Sequence, residues 1–186
     1  MQKVLVPLGG GFEEIEAVSI IDVLRRADIE VLVASLNDEM LVKGANGITI
    51  QTDLQVKDAS AATLDMIVLP GGWGGTYALA EDENVQNLLR EMDALEKNIG
   101  AICAAPFALN KAGVLKDKYT CYPSVEDEIK KEGYVGATDM VVSDKNVMTS
   151  RGPGTAICFG LAIVKKLKGQ ETCNALKEGL LATYCK

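Results

Sequence analysis

The sequence predicts an α/β domain built on a mostly parallel sheet, and three features carry that expectation. Short apolar runs at 3–8 (KVLVPL), 29–35 (IEVLVAS), 65–69 (DMIVL) and 98–102 (NIGAI) lack the strict polar alternation of half-exposed strands. Helical segments with apolar stripes separate them, clearest at 12–27 and 84–97, where Val85, Leu88, Leu89, Met92 and Leu95 share one side. Glycine-rich turns follow the 3–8 and 65–69 runs, as loops at the carboxyl ends of such strands do. With 186 residues, 48% of them hydrophobic, and no linker, repeat or low-complexity tract, residues 1–186 read as one domain.

The first strand ends at Gly9-Gly10-Gly11. The letters GGGFEEIE do not complete a dinucleotide fingerprint, because Glu14 stands where the third glycine belongs, and two carboxylates at a helix start repel a pyrophosphate. In the 12–27 helix, Ser19, Asp22, Arg25 and Arg26 mark the polar face, and Glu13 and Glu14 suit the N-terminal dipole. Glu16 differs. At 100° per residue it lies within about 40° of Ile20, Val23 and Ala27, on the apolar side. It is either a buried acid with a raised pKa or a first-turn cap. A hairpin excursion is expected within 41–51 around Asn46-Gly47, then a polar connection over 53–62 with room for one short helix.

Pro70-Gly71-Gly72-Trp73-Gly74-Gly75 follows the 65–69 strand. Gly71 and Gly72 are candidates for an oxyanion-binding turn, or a loop that needs glycine for steric reasons, and Trp73 is a pocket wall or a partner contact. The run Asn98–Leu109 turns from strand to Ala-rich helix with Cys103 at the junction and Pro106 fit for a first helical turn. Backbone N–H groups there favour a reactive thiolate. Further on, 118–121 (KYTC) reads as a short strand closed by Tyr122-Pro123, 125–131 as a solvated helical turn, and 139–143 with 146–149 as a strand pair. Arg151-Gly152-Pro153-Gly154-Thr155 turns into a helix ending at Lys168, and 171–184 is a last helix.

The net charge of −7 argues against a nucleic-acid or anionic membrane surface. No apolar run has membrane-spanning length, and the strand-like start shows no signal peptide, so a cytoplasmic location is expected. Five cysteines without C-x-x-C spacing fit reduced thiols and suggest no metal site, Cys158 reading as core and Cys185 as exposed and oxidisable. There is no histidine, which excludes Cys-His and Ser-His pairs within the chain and any His-containing metal site.

GGGFEEIEAV (9–18), VLPGGWGG (68–75), AICAAP (101–106) and TSRGPGT (149–155), in this order and spacing, resemble the ThiJ/PfpI superfamily across essentially the whole chain. The resemblance is closest to its parkinsonism-associated deglycase and glutathione-independent glyoxalase branch. It implies a flavodoxin-like, class I glutamine amidotransferase-like sandwich with helices on both faces, and a homodimer. By position, Cys103 matches the family's nucleophilic, oxidation-sensitive cysteine and Glu16 the buried glutamate beside its sulfur. Gly71 and Gly72, with Ala104, match backbone N–H donors facing the cysteine, and Arg151 and Gly152 match a segment lining the site. Relatives often carry histidine where Tyr122 precedes Pro123, so Tyr122 either supplies a hydroxyl or fills space. The implied activity needs no cofactor: conversion of methylglyoxal, a small α-oxoaldehyde, to lactate, with removal of glycation adducts as a contested second activity. The alternative is a redox sensor or holdase chaperone acting on client proteins through oxidation of Cys103.

Overall fold

A computed structural model describes residues 1–185. Its central sheet has seven strands: β1 (Lys3–Leu8), β2 (Glu30–Ser35), β5 (Leu54–Gln55), β6 (Met66–Leu69), β7 (Asn98–Ile102), β8 (Val141–Asp144) and β9 (Val147–Ser150). Their order is β5-β2-β1-β6-β7-β9-β8, all parallel except β8, which pairs antiparallel with β9 at the edge. Among the five long parallel strands this is the 2-1-3-4-5 order of the flavodoxin-like fold, with a switch point between β1 and β6.

The continuous apolar runs are explained by burial on both faces. Helix α1 (Glu14–Arg26) packs on α6 (Ala156–Lys168), and α6 on α7 (Gln170–Gly179), while α2 (Trp73–Glu81), α3 (Glu83–Ala94) and α4 (Pro106–Ala112) gather on the other side. Val4 to Val6, Met66 to Leu69 and Ile99 to Ile102 are sealed between these layers. The expected stripe of α3 is buried at Val85, Leu88, Leu89 and Met92, while Leu95 caps the helix and is exposed.

The hairpin forms as β3 (Leu41–Lys43) and β4 (Thr49–Gln51), and Glu14 holds it. Its Oε1 accepts the Asn46 and Ile48 N–H groups at 2.6 and 3.3 Å, and its Oε2 accepts Asn46 Nδ2 at 3.0 Å. Burial pushes this carboxyl up, but the Asn46 amide, the Asn46 N–H and the other backbone donors outweigh it and hold the pKa below the ordinary value. The dipole reading of Glu14 therefore missed its main role.

Four expectations need correction. Residues 118–121 form no strand: one bridge joins Tyr119 to Tyr134, and Thr120 N–H donates to the Thr149 hydroxyl instead of a ladder. The 53–62 connection holds the edge strand β5 and two short 3₁₀ turns, at Val56–Asp58 and Ala61–Thr63. The short helix α5 (Val125–Ile129) is not a purely solvated turn, since Val125 and Ile129 are buried. Lastly, Cys158 and Cys185 are joined by a disulfide with Cα atoms 5.1 Å apart, and Cys185 is buried. The antiparallel return of α7 beside α6 brings the chain end back to the first turn of α6, a proximity that spacing in sequence does not reveal. With that disulfide present, cysteine usage no longer supports a reducing compartment. Among the described residues no helix is long and apolar enough to cross a membrane.

Candidate active site

The site assembles where β1, β6 and β7 end, beside the switch point. Gly11 has φ +81°, and the turn after β1 delivers Glu13 as the N-cap of α1, its carboxylate accepting the Glu16 N–H at 2.8 Å. The Glu13 N–H in turn donates to the Gly71 carbonyl at 2.8 Å, locking the turn after β1 to the loop after β6. Glu16, in the first turn of α1, points into the protein and is 0% exposed.

Cys103 follows β7 directly. Its φ of +64° is left-handed, a conformation that costs an L-residue about 1–2 kcal/mol. The neighbours hold it there: its N–H donates to the Ser150 carbonyl at 3.0 Å and its carbonyl accepts the Tyr122 N–H at 2.9 Å. Such an over-determined outlier is the mark of an elbow that presents a side chain. Helix α4 begins only at Pro106, so Cys103 precedes it by a turn through Ala104 and Ala105.

Glu16 and Cys103 meet across Gly71. A Cβ on Gly71 would lie 2.6 Å from Cys103 Cβ and 2.7 Å from Glu16 Oε2, so no other residue fits. Gly71 N–H donates to Glu16 Oε2 at 2.7 Å. This changes its expected role: the N–H is committed to the carboxyl and is not free for an oxyanion. The donors directed at the Cys103 sulfur are the N–H groups of Gly72 and Ala104. Among the described residues Glu16 Oε1 has no hydrogen-bond partner, and the carboxyl lies beside the Cys103 thiol.

Both groups resist ionisation. Burial raises the Glu16 pKa to about 7 against the opposing effects of the Cys103 thiol and the Gly71 N–H. Burial first, and then the Glu16 charge, push the Cys103 thiol up; Gly72 and Ala104 only partly offset this. The simple expectation of a thiolate favoured by its place before a helix is therefore incomplete, because burial and the carboxyl oppose the backbone dipoles. The two titrate as one pair, which sheds its first proton near neutrality and then resists losing a second.

The remaining expected residues surround this pair. The Tyr122 side chain is exposed and lies over Gly152, where a Cβ would come 3.1 Å from its ring. It reaches Cys103 through its backbone N–H rather than its hydroxyl. Pro123 is exposed, and Arg151 is half-buried with Nε lacking a partner. Trp73 opens α2 and stacks on Tyr77 with ring centres 5.1 Å apart, edge-on to Phe107 of α4. Cys121 is buried, its thiol directed at Glu126 at 3.8 Å, and burial and that carboxylate push it up to about 12. The residue that sequence reasoning passed over is Ser150. Its carbonyl anchors Cys103, and its hydroxyl shares a 2.8 Å hydrogen bond with Thr155. Its only signal in the sequence is a small polar residue closing a strand beside the TSRGPGT turn. Among the described residues no cluster of His, Cys, Asp and Glu could hold a metal.

The chain is similar to known proteins over nearly its whole length. The profile of the DJ-1/PfpI family matches residues 2–166. Protein dj-1beta of Drosophila melanogaster is 41% identical over 184 residues, covering 98% of each chain. Its crystal structure superimposes with a TM-score of 0.92 at 42% identity, covering 97% of each chain. A Caenorhabditis elegans relative named glutathione-independent glyoxalase DJR-1.2 is 40% identical over 168 residues, covering 90% of this chain and 89% of its own. The chain belongs to the DJ-1/PfpI family.

Proposed function

We propose that the chain is a glutathione-independent glyoxalase that converts a small α-oxoaldehyde such as methylglyoxal to its 2-hydroxy acid, with Cys103 as nucleophile and Glu16 as acid–base group. The observation that carries this reading is a fully buried Glu16 carboxyl beside the Cys103 thiol, with one of its oxygens held by the Gly71 N–H. Gly71 N–H fixes Oε2 as an acceptor, which leaves Oε1 as the oxygen that gives and takes a proton. With one proton and one charge on the pair, the reacting form has thiolate at Cys103 and carboxylic acid at Glu16.

The thiolate adds to the aldehyde carbon, a C–S bond forms, and the carbonyl electron pair moves to oxygen, which takes the Oε1 proton. Gly72 and Ala104 N–H groups stabilise the developing oxyanion. Glu16, now carboxylate, removes the C1 proton of the hemithioacetal; that electron pair forms the C1–C2 double bond and the C2 carbonyl pair moves to its oxygen. The proton returns to C2 while the C1 hydroxyl proton passes to the C2 oxygen, which leaves C1 as a carbonyl. The product is a thioester of the hydroxy acid. Water cleaves it, giving lactate and free Cys103, so the sum is methylglyoxal plus water to lactic acid. A pKa near 7 suits a group that must both give and take a proton. No step needs histidine, and none is present.

We place a second copy of the chain against the face where Ile15 and Val18 of α1 are exposed beside Leu41 and Ile48 of the hairpin. Glu14 holds these two elements together. Such a set of exposed large apolar side chains on adjoining elements suits a self-complementary dimer contact. Its check is a shift from dimer to monomer mass in Val18→Glu.

The test of the activity is lactate formation from methylglyoxal without added thiol, by wild type and Cys103→Ser. Lactate from wild type alone supports the reading. Absence of lactate from wild type, with selective oxidation of Cys103 by peroxide, replaces it with a redox sensor.

A further inference from the structure

A second cysteine centre lies away from Cys103. The β8–β9 edge, α6 and α7 enclose a groove of about 860 Å³, within the size of small-ligand pockets. Met148 and Leu161 are buried in its floor, and the Cys158–Cys185 disulfide forms part of its wall. Lys165, Lys166 and Lys177 rim it, and Asp139 is the one carboxylate residue among its described lining. In a chain of net charge −7 this is a local concentration of positive charge beside a reducible bond.

We propose that this groove is a thiolation site, in which an anionic low-molecular-weight thiol is drawn in by the three lysines and exchanges with the Cys158–Cys185 disulfide. Charge and topology choose the direction of exchange. Cys158 occupies the third position of the 13-residue α6, where helix N-terminal N–H groups favour a departing thiolate. Cys185 lies beyond the end of α7 on the terminal segment. The incoming thiolate attacks Cys185 Sγ; the new S–S bond joins it to Cys185, the Cys158–Cys185 bond breaks, and its electron pair leaves on Cys158. A second thiol then attacks the mixed disulfide and takes away the first as the small-molecule disulfide. That leaves both cysteines reduced and one pair of external thiols oxidised. In a compartment rich in such thiols the terminal segment is released from α6, and in its absence the clasp stays shut. The active pair at Cys103 and Glu16 takes no part.

The test uses the full-length protein with its disulfide formed, under anaerobic conditions. Glutathione, neutral β-mercaptoethanol and cationic cysteamine are compared at matched thiolate concentration, with adducts trapped by acid and located by peptide mass. Glutathione is expected to open the bond about tenfold faster than cysteamine, with the adduct on Cys185. The combined Lys165→Glu, Lys166→Glu, Lys177→Glu variant should reverse that order, and the single exposed-site variant Lys165→Glu should move it part of the way. Equal rates for the three thiols in wild type overturn the proposal. So does an order unchanged in the lysine variants, an adduct on Cys158 or Cys173, or Cys158 and Cys185 alkylating as free thiols before any reductant is added.

Discussion

Replacing Glu16 by glutamine keeps the shape of a fully buried group and removes its titration. The amide oxygen still accepts the Gly71 N–H, and the NH₂ takes the place of the acid's O–H beside Cys103. The carboxyl pKa rises from 4.5 to about 7 on folding, because burial penalises the charge. For an acid shifted upward, folding carries no penalty below the unfolded pKa; the penalty grows as pH rises and is complete above the folded pKa. Between about pH 5 and about pH 8 wild type should therefore lose about 2–3 kcal/mol of stability relative to Glu16→Gln. This holds whichever atom of the pair carries the charge, since it counts protons and not their positions. Urea unfolding of both proteins at several pH values reads it directly. A stability difference that stays constant across this range refutes the argument, since it means that burial does not hold the proton on the pair.

Further consequences follow from the same geometry. Alkylation of Cys103 by iodoacetamide should accelerate as pH rises through about 7 and then level off, and that inflection should vanish in Glu16→Gln. Gly71→Ala, which forces a methyl to within 2.6 Å of Cys103 Cβ and 2.7 Å of Glu16 Oε2, should lower turnover by about a hundredfold or more, read as kcat/KM. Glu14→Ala leaves the Asn46 and Ile48 N–H groups without their acceptor and should cost about 2–3 kcal/mol by urea titration. Because that carboxyl titrates below its ordinary value, the wild-type advantage should fade on acidification through the folded pKa. Cys185→Ser opens a 27-residue loop and should lower stability by about 3.5 kcal/mol under oxidising conditions, with little effect once a reductant is present.

Much of this molecule was legible in its sequence because the relevant signals are local. The apolar runs of β1, β6 and β7 are buried on both faces, so each reads as a strand without knowledge of its neighbours. Glu16 could be singled out because helical periodicity alone turns it inward beside Ile20 and Val23. Cys103 could be placed at an elbow because a strand gives way there to a Pro-started helix. The features that escaped depend on partners distant along the chain. The role of Glu14 is set by Asn46, 32 residues on. The 118–121 segment has the composition of a strand, yet Thr120 bonds a side chain where a ladder was expected. The disulfide requires α6 and α7 to fold back on each other before Cys158 and Cys185 become neighbours. Gly71 shows a finer limit: its loop was recognisable, but the acceptor of its N–H was not, and that acceptor decides which donors remain for an oxyanion.

On the proposed mechanism Cys103 and Glu16 act in succession, attack first and proton movement between carbons second. Proton NMR of methylglyoxal incubated with Glu16→Gln, following aldehyde loss and lactate appearance together beside wild type, separates the two steps. Wild type should form lactate continuously, and the variant should lose no more than one equivalent of aldehyde per Cys103 and form no lactate. Lactate formed by Glu16→Gln at a rate near that of wild type contradicts that mechanism.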